Sequence, residues 1–247
     1  MRRVKSFVLT AAAIAGAVAA TACDYGVTPS PTAPTTEIPA STTPAPPSGT
    51  STGLTYAKDI QPIMATDCVP CHGPDGNSPT PIWPKLAGQV REYTVKQLHD
   101  FKAGRRTELT MSPMAQPLSP QDMEDIAAYL ATQKIEPGAG KPELRALGEK
   151  IYEKGKHRPA VTACIGCHGA NGAGNGAWAK RLAAPPAVLA PALGGQHPDY
   201  VVKQLKAYRS GVRRNDVGGV MRDIASRLNE EEMDAVAHFV TTLRGPR

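Results

Sequence analysis

The chain has 247 residues, enough for one large domain or two small ones, and only 5% of them are aromatic. Two small domains with so few large apolar side chains would bury little surface, so a buried cofactor in each would complete the core. The net charge of +6 is modest and lacks a block of clustered Lys and Arg, so we expect no nucleic-acid partner.

The first 22 residues predict an export signal peptide. Basic residues at positions 2, 3 and 5 precede an apolar run over 7–20, which is too short and small-sided for a membrane span. The run ends in Ala20-Thr21-Ala22-Cys23, which permits two cleavage patterns. Ordinary signal peptidase would leave Cys23 as a free thiol, whereas a lipoprotein-type cleavage would make it the lipidated first residue. We favour the lipoprotein type, because it accounts for the one cysteine of five outside the CxxC pairs.

Residues 23–53 predict a disordered linker, because a segment of Pro, Thr, Ser and Ala cannot bury a core. A spacer of about 30 residues can extend to about 90 Å. It could therefore hold the following domains close to a membrane, on the periplasmic side or at the cell exterior. The later apolar run Leu182–Leu193 is interrupted by three prolines and does not predict a membrane span.

From residue 54 onward the apolar periodicity predicts an all-α fold, with no alternating strand pattern. In the first half, 54–138, helices are expected around Tyr56, Ile60 and Ile63, over Tyr93–Gly104 and after the Ser119 cap. A boundary rich in Gly and Pro lies near residues 136–142. In the second half, 139–247, helices are expected around Leu144–Ile151, over Tyr200–Gly211 and after the Asn229 cap.

The two halves repeat one sequence pattern. Leu86–Gln89 recurs as Leu193–Gln196, and Tyr93–Leu98 recurs as Tyr200–Leu205, both at an offset of 107 residues. The two CxxCH motifs are only 96 residues apart, so the second half has 11 additional residues in a Gly- and Pro-rich loop over 169–191. Such a duplication predicts two copies of one small domain.

Each half carries one CxxCH motif, at 68–72 and at 164–168. Positions i, i+3 and i+4 share a helix face, so two thiols can bond one haem while the adjacent histidine faces the iron. A zinc pair, a thioredoxin-like redox pair and a structural disulfide are the alternatives; the adjacent histidine and the missing βαβ pattern disfavour the first two. We predict two covalently attached haem c groups, held by Cys68, Cys71 and His72 and by Cys164, Cys167 and His168.

A methionine commonly completes the iron coordination of an electron-transfer haem, and the repeat selects two of the seven in this chain. Met111 and Met221 each stand seven residues before the leucine that precedes a capped helix. Met114 is the rival in the first half, but the same neighbourhood of the second half has Ile224 instead. We therefore predict Met111 and Met221 as iron ligands. Packing or surface roles are expected for Met64, Met123, Met233, His99, His157, His197 and His238.

This order of motifs resembles the dihaem class I cytochromes c of the cytochrome c4 type. The shared pattern runs from CxxCHGxxG through a Leu-x-Gly-Gln turn and Tyr-x-x-Lys-Gln-Leu to a methionine and a capped helix, twice between residues 54 and 247. The resemblance implies two tandem class I cytochrome c domains related by a pseudo-twofold axis, with haem edges facing across the interface. It implies periplasmic electron transfer to a terminal oxidase or a reductase, and gives Met111 and Met221 the axial role. The lipoprotein-like start, the linker and the enlarged second loop depart from the family.

The expected function is that of an electron carrier in a respiratory chain, between membrane complexes or dehydrogenases and a terminal oxidase or reductase. Ligation by His and Met would close both iron positions and leave no place for a substrate. Two alternatives stay open: a dihaem enzyme of the peroxidase or thiosulfate-oxidising type, and a cytochrome subunit of a larger membrane complex.

The two halves differ in charge. Residues 54–140 contain 8 Lys/Arg and 10 Asp/Glu, a net charge of −2, whereas residues 141–247 contain 17 and 10, a net charge of +7. Such an asymmetry can orient a protein during encounter with a partner. We expect the second domain to dock an acidic redox partner while the first passes electrons in the other direction.

Overall fold

Helices dominate the computed structural model, which describes residues 60–176 and 189–246. The described helices of the first half are α1 (Gln61–Asp67), α2 (Val69–His72), α3 (Arg91–Lys102), α4 (Met111–Ala115) and α5 (Pro120–Thr132). The second half begins with α6 (Pro142–Lys154), a hairpin of β1 (Lys156–His157) and β2 (Ala160–Val161), and α7 (Ile165–His168). It continues with α8 (Pro198–Arg209), a 3₁₀ turn (Val217–Gly219), α9 (Val220–Ser226) and α10 (Glu230–Val240).

The last helix of each half, α5 and α10, begins with a capping box. Ser119 Oγ accepts a hydrogen bond from Asp122 N–H at 3.1 Å, and the Asp122 carboxylate accepts one from Ser119 N–H at 2.7 Å. Asn229 and Glu232 make the same reciprocal pair at the start of α10, both bonds at 2.8 Å. These bonds satisfy N–H groups that a first helical turn leaves unpaired, and both starts agree with the sequence prediction.

The middle helices α3 and α8 begin two residues before the predicted tyrosines and end close to Gly104 and Gly211, as expected. Both glycines have a left-handed φ, +69° and +73°, which a Cβ would strain. The β1–β2 hairpin was not predicted from the sequence. Its strands have two residues each, too few to show an alternating pattern.

Each half has its own apolar core. In the first half the core is formed by Ile60, which precedes α1, and by side chains of α1, α3 and α5: Met64, Leu98, Met123, Ile126 and Leu130. In the second half the larger core includes Ile151, Tyr152, Val201, Leu205, Met233, Val236, Phe239 and Val240. Met64, Met123 and Met233 are fully buried, as expected of packing residues.

The connection between the halves is hydrogen-bonded to both of them. Gly138 N–H donates to Thr241 O at 2.8 Å, and Glu136 N–H donates to the Asn77 side-chain oxygen at 3.0 Å. The described residues all belong to one compact unit. The predicted signal peptide, the linker, the Tyr56 end of the first predicted helix and most of the enlarged loop lie outside the described residues. Within the two described ranges, no helix is both long and apolar enough to cross a membrane.

Candidate haem sites

Each CxxCH motif occupies a single helical turn. In the first motif Cys71 N–H and His72 N–H donate to Cys68 O at 3.2 and 2.9 Å, and the second motif repeats both bonds at the same distances. The four cysteines of the two motifs are unpaired. One turn of helix therefore places two thiols and an imidazole on a common face, as the spacing predicts.

The two motif histidines are oriented by backbone carbonyls. His72 Nδ1 lies 2.8 Å from Pro84 O, and His168 Nδ1 lies 2.9 Å from Pro191 O. A carbonyl oxygen only accepts hydrogen bonds, so Nδ1 carries the proton in both rings and Nε2 keeps its lone pair. His72 Nε2 is buried and has no hydrogen-bond partner in the described part of the chain. A buried imidazole nitrogen left in this state fits a metal ligand.

Burial tunes the protonation of these side chains. It lowers the pKa of His72 and His168, while the hydrogen bonds to the two proline carbonyls act in the opposite direction. The neutral imidazole that results is the form that binds a metal. Burial also raises the pKa of the Cys68 and Cys164 thiols to about 11, unlike the low pKa of a reactive redox cysteine.

A mostly apolar cavity of about 580 Å³ contains both motif histidines in its lining and extends from one half to the other. Met111, at the start of α4, and Met221, in α9, line the same cavity, and so does the rival Met114. Met111 packs against the core of the first half and Met221 against that of the second. The structure thus brings the predicted histidines and methionines to one cavity without excluding Met114.

This donor set fits haem. Each half offers two thiols and a neutral imidazole on one turn, with a thioether in the lining of an apolar cavity. When bound, haem of this kind supplies a one-electron ferric/ferrous couple. Among the residues that the structure describes, no group of three or more His, Cys, Asp or Glu side chains is arranged to hold a free metal ion.

The four other histidines do not line the cavity. His157 is exposed, and His197 Nε2 lies 2.9 Å from Ser78 O in the other half. His238 Nε2 lies 3.5 Å from the Asp234 carboxylate on the same helix. The placements of His157 and His197 agree with the expected surface and hydrogen-bonding roles. His238 is mostly buried, and its Nδ1 has no hydrogen-bond partner in the described part of the chain.

Two arginines between the sites were missed by the sequence reasoning. Arg106 and Arg213 are 9% and 6% exposed, and each guanidinium lies over an aromatic ring of its own half, Phe101 at 4.5 Å and Tyr208 at 4.6 Å. Each also donates across the interface: Arg106 to Tyr200 Oη (3.0 Å) and Gln204 Oε1 (3.2 Å), and Arg213 to Tyr93 Oη (2.8 Å) and Gln97 Oε1 (3.1 Å). Their common offset of 107 residues was the signal that could have found them.

The sequence model of the family described as cytochrome c matches residues 57–134 and 146–244. This chain belongs to the cytochrome c family. It is 47% identical over 176 residues to cytochrome c4 of Thiocapsa roseopersicina, which covers 71% of this chain and 86% of the relative. The crystal structure of reduced recombinant cytochrome c4 from Pseudomonas stutzeri superposes with a TM-score of 0.67 at 43% identity, covering 74% of this chain and 96% of that one.

A further relative in the cytochrome c family is the thiosulfate dehydrogenase electron acceptor of Thiomonas intermedia, 34% identical over 186 residues, which span 72% of this chain and 79% of the relative. The cytochrome c4 matches confirm the predicted fold class, two tandem all-α cytochrome c domains. This cytochrome c carries two covalently attached haem c groups, one per domain. It is a dihaem electron-transfer protein and not an enzyme.

Proposed function

We propose that the first haem is held by Cys68 and Cys71 with His72 and Met111 on the iron, and the second by Cys164 and Cys167 with His168 and Met221. The unpartnered, buried Nε2 of His72 carries the first-haem part of this proposal, and the internal repeat and the shared cavity extend it to the second haem. The Nδ1 bond of each histidine to a proline carbonyl supports it, because a hydrogen bond at Nδ1 fixes the ring so that Nε2 can face the iron.

Methionine replacements test the iron ligands. Met111→Leu and Met221→Leu should each remove half of the methionine-to-ferric-iron absorption band of the oxidised protein. Met114→Leu is the matched control, from the same short helix and the same cavity, and should leave the band intact. Loss of the band in Met114→Leu, and not in Met111→Leu, would move the assignment to Met114.

The protein is proposed to be exported, with residues 1–22 as its signal peptide, 23–53 as a linker, and 54–138 and 139–247 as the two domains. The composition of the first 53 residues supports this division. Lipidation of Cys23 would tie the domains to a membrane on the periplasmic side or at the cell exterior.

The mature N-terminus decides between the two cleavage patterns. Intact-mass measurement of the native protein should show a chain that starts at Cys23 and carries lipid. Cys23→Ser should release the protein into the soluble fraction with both haems attached. An unlipidated N-terminus and a soluble native protein would contradict the anchor without touching the haem assignment.

The electron partners are proposed to be membrane complexes or dehydrogenases on one side and a terminal oxidase or reductase on the other. A thiosulfate dehydrogenase is one candidate donor, because a relative at 34% identity is named as the electron acceptor of such an enzyme. Stopped-flow mixing of the oxidised protein with a thiosulfate dehydrogenase and thiosulfate tests this candidate. Reduction only after addition of the enzyme supports it, and no reduction excludes this donor.

A further inference from the structure

Two buried glutamines each make a pair of hydrogen bonds to the backbone of one residue in the opposite domain. Gln196 Oε1 accepts from Lys85 N–H at 2.9 Å, and its Nε2 donates to Lys85 O at 2.9 Å. Gln89 makes the same pair with Ala192, at 2.8 Å for the N–H and 3.1 Å for the carbonyl. The two glutamines therefore form reciprocal clamps, related by the internal repeat.

Each clamp holds the peptide group that orients a motif histidine. The N–H of Lys85 belongs to the same peptide bond as Pro84 O, which accepts from His72 Nδ1. In the second domain, the N–H of Ala192 shares its peptide bond with Pro191 O, which accepts from His168 Nδ1. A continuous chain of hydrogen bonds thus runs from each glutamine, through one amide, to the histidine of the opposite domain.

The orientation of the clamps is fixed. Gln89 and Gln196 are 9% and 5% exposed. Each Oε1 accepts a second hydrogen bond from the following N–H, Val90 at 2.9 Å and His197 at 3.0 Å. If the side-chain amide were flipped, its NH2 group would face the two backbone N–H groups that Oε1 now accepts from. Only the observed orientation therefore satisfies the buried groups.

We propose that Gln196 and Gln89 are positioning residues that set the reduction potential of the haem in the opposite domain, which rests on the proposed ligation by His72 and His168. Hydrogen bonds in a chain polarise one another, so an amide whose N–H is bonded offers a stronger carbonyl acceptor. A stronger acceptor at Nδ1 makes the imidazole a more basic ligand, which favours ferric iron and lowers the potential.

The test uses the holoprotein with Gln196→Met or Gln89→Met, which keep the side-chain volume and remove both clamp bonds. NMR signals of the two haems during stepwise reduction report each potential separately. Gln196→Met should raise the potential of the first haem alone, and Gln89→Met that of the second alone. The expected change in the ferrous-to-ferric ratio is several-fold, up to the tenfold that equals about 59 mV for one electron.

Two further variants distinguish an effect of this hydrogen-bond chain from an effect of a weakened domain interface. Gln204→Leu removes one oxygen that accepts from both Arg106 and Arg213, but it contacts neither of the peptide groups that the two glutamines bind. It should therefore not shift the reduction potential of one haem selectively. Gln196→Glu keeps an acceptor for Lys85 N–H and should not raise the first potential. The His72 Nδ1 proton should exchange faster with solvent in Gln196→Met.

Three outcomes would overturn the proposal: no shift, equal shifts in both haems, or a shift of the haem in the mutated domain alone. A failure of the ligand assignment looks different. It would appear in the native holoprotein, as haem NMR signals that show no axial imidazole from His72 or His168, rather than as a missing cross-domain shift in the glutamine variants.

Discussion

The two domains have the same haem-attachment residues but differ in net charge and in the polar residues of their interface. Both have the CxxCH turn, a proline carbonyl on Nδ1 of the histidine and a last helix with a capping box. They differ in net charge, −2 over residues 54–140 and +7 over residues 141–247, and in the polar groups of the interface. The duplicated domains therefore keep the residues that attach haem, while their surface and interface residues give the two haems different electrostatic surroundings.

The interface shows the difference at equivalent positions. Asp100 has a side chain that is 4% exposed and accepts hydrogen bonds from Lys96, Arg105 and Asn215. The position 107 residues later is Ala207, so the second domain has no matching carboxylate. A buried carboxylate at this position of the first domain only makes the electrostatic surroundings of the two haems unequal.

The largest effect is expected where α6 crosses α10 in the second domain. A Cβ on Gly148 would lie 2.1 Å from Ala235 O and 2.7 Å from Phe239 Cβ, so Gly148→Ala must push the helices apart. We expect a loss of about 3 kcal/mol in the free energy of unfolding of the holoprotein, measured with denaturant. Gly166→Ala is the control, because nothing lies within 4 Å of its added Cβ. Equal stability of the two variants would contradict the close crossing.

The next largest loss of stability is expected for replacements of the interface arginines, Arg106 and Arg213. Arg213 bonds four acceptor side chains and Arg106 three, counting only the bonds of the described residues. Replacement by Met leaves buried acceptors unpaired, so Arg213→Met should cost about 3 kcal/mol and Arg106→Met about 2 kcal/mol. The two arginines share the side-chain oxygens of Gln97 and Gln204, which keep one arginine donor in each single variant and lose both in the double variant. The double variant should therefore cost more than the sum of the single variants. Denaturant unfolding checks both, and a strictly additive pair would show that the network is not shared.

The buried carboxylate gives a pH-dependent prediction. Burial by itself raises the pKa of Asp100, but the hydrogen bonds from Lys96, Asn215 and Arg105 outweigh it and lower the pKa below its usual 3.8. A lowered folded-state pKa gives stability that is present above the unfolded pKa and is lost as the pH falls through the folded one.

Asp100→Asn should therefore cost about 1–2 kcal/mol at pH 7, because it removes the charge from these bonds. The difference from the native protein should shrink as the pH falls below about 4. Unfolding free energies measured across this pH range check the prediction. A difference that stays constant down to the acid limit would show that the carboxylate charge contributes nothing.

The smallest effect concerns encounter with a partner. If the basic second domain docks an acidic partner, electron-transfer rates in stopped-flow experiments should fall as ionic strength rises. Neutralising the exposed Lys150 and Lys154 on α6 with Gln should lower the rate roughly twofold to fivefold at low salt. Lys134→Gln, exposed in the connection between the domains, is the matched control and should change little. Electron-transfer rates that do not change with ionic strength would exclude docking driven by the charge asymmetry.

Much of this architecture was visible in the sequence. The spacing of Cys68, Cys71 and His72 needs only one helical turn to bring its groups together, and Ser119 and Asn229 mark helix starts by hydrogen bonds three residues away. Such short-range signals predicted the helices, and comparison of the two copies selected Met111 and Met221. The choice between Met111 and Met114 stays a prediction, because both line the cavity.

The two haem motifs, the duplication and the helical fold follow from the order of residues alone, because they depend on contacts within a few residues or on direct comparison of the copies. Which carbonyl orients each histidine, and which glutamine of the other domain binds that carbonyl's peptide group, follows only from the packed fold. The residues of each clamp, such as Lys85 and Gln196, are more than 100 positions apart in the chain. No local periodicity encodes a pairing at that distance; it arises when the two cores are packed together and every buried polar group must find a partner.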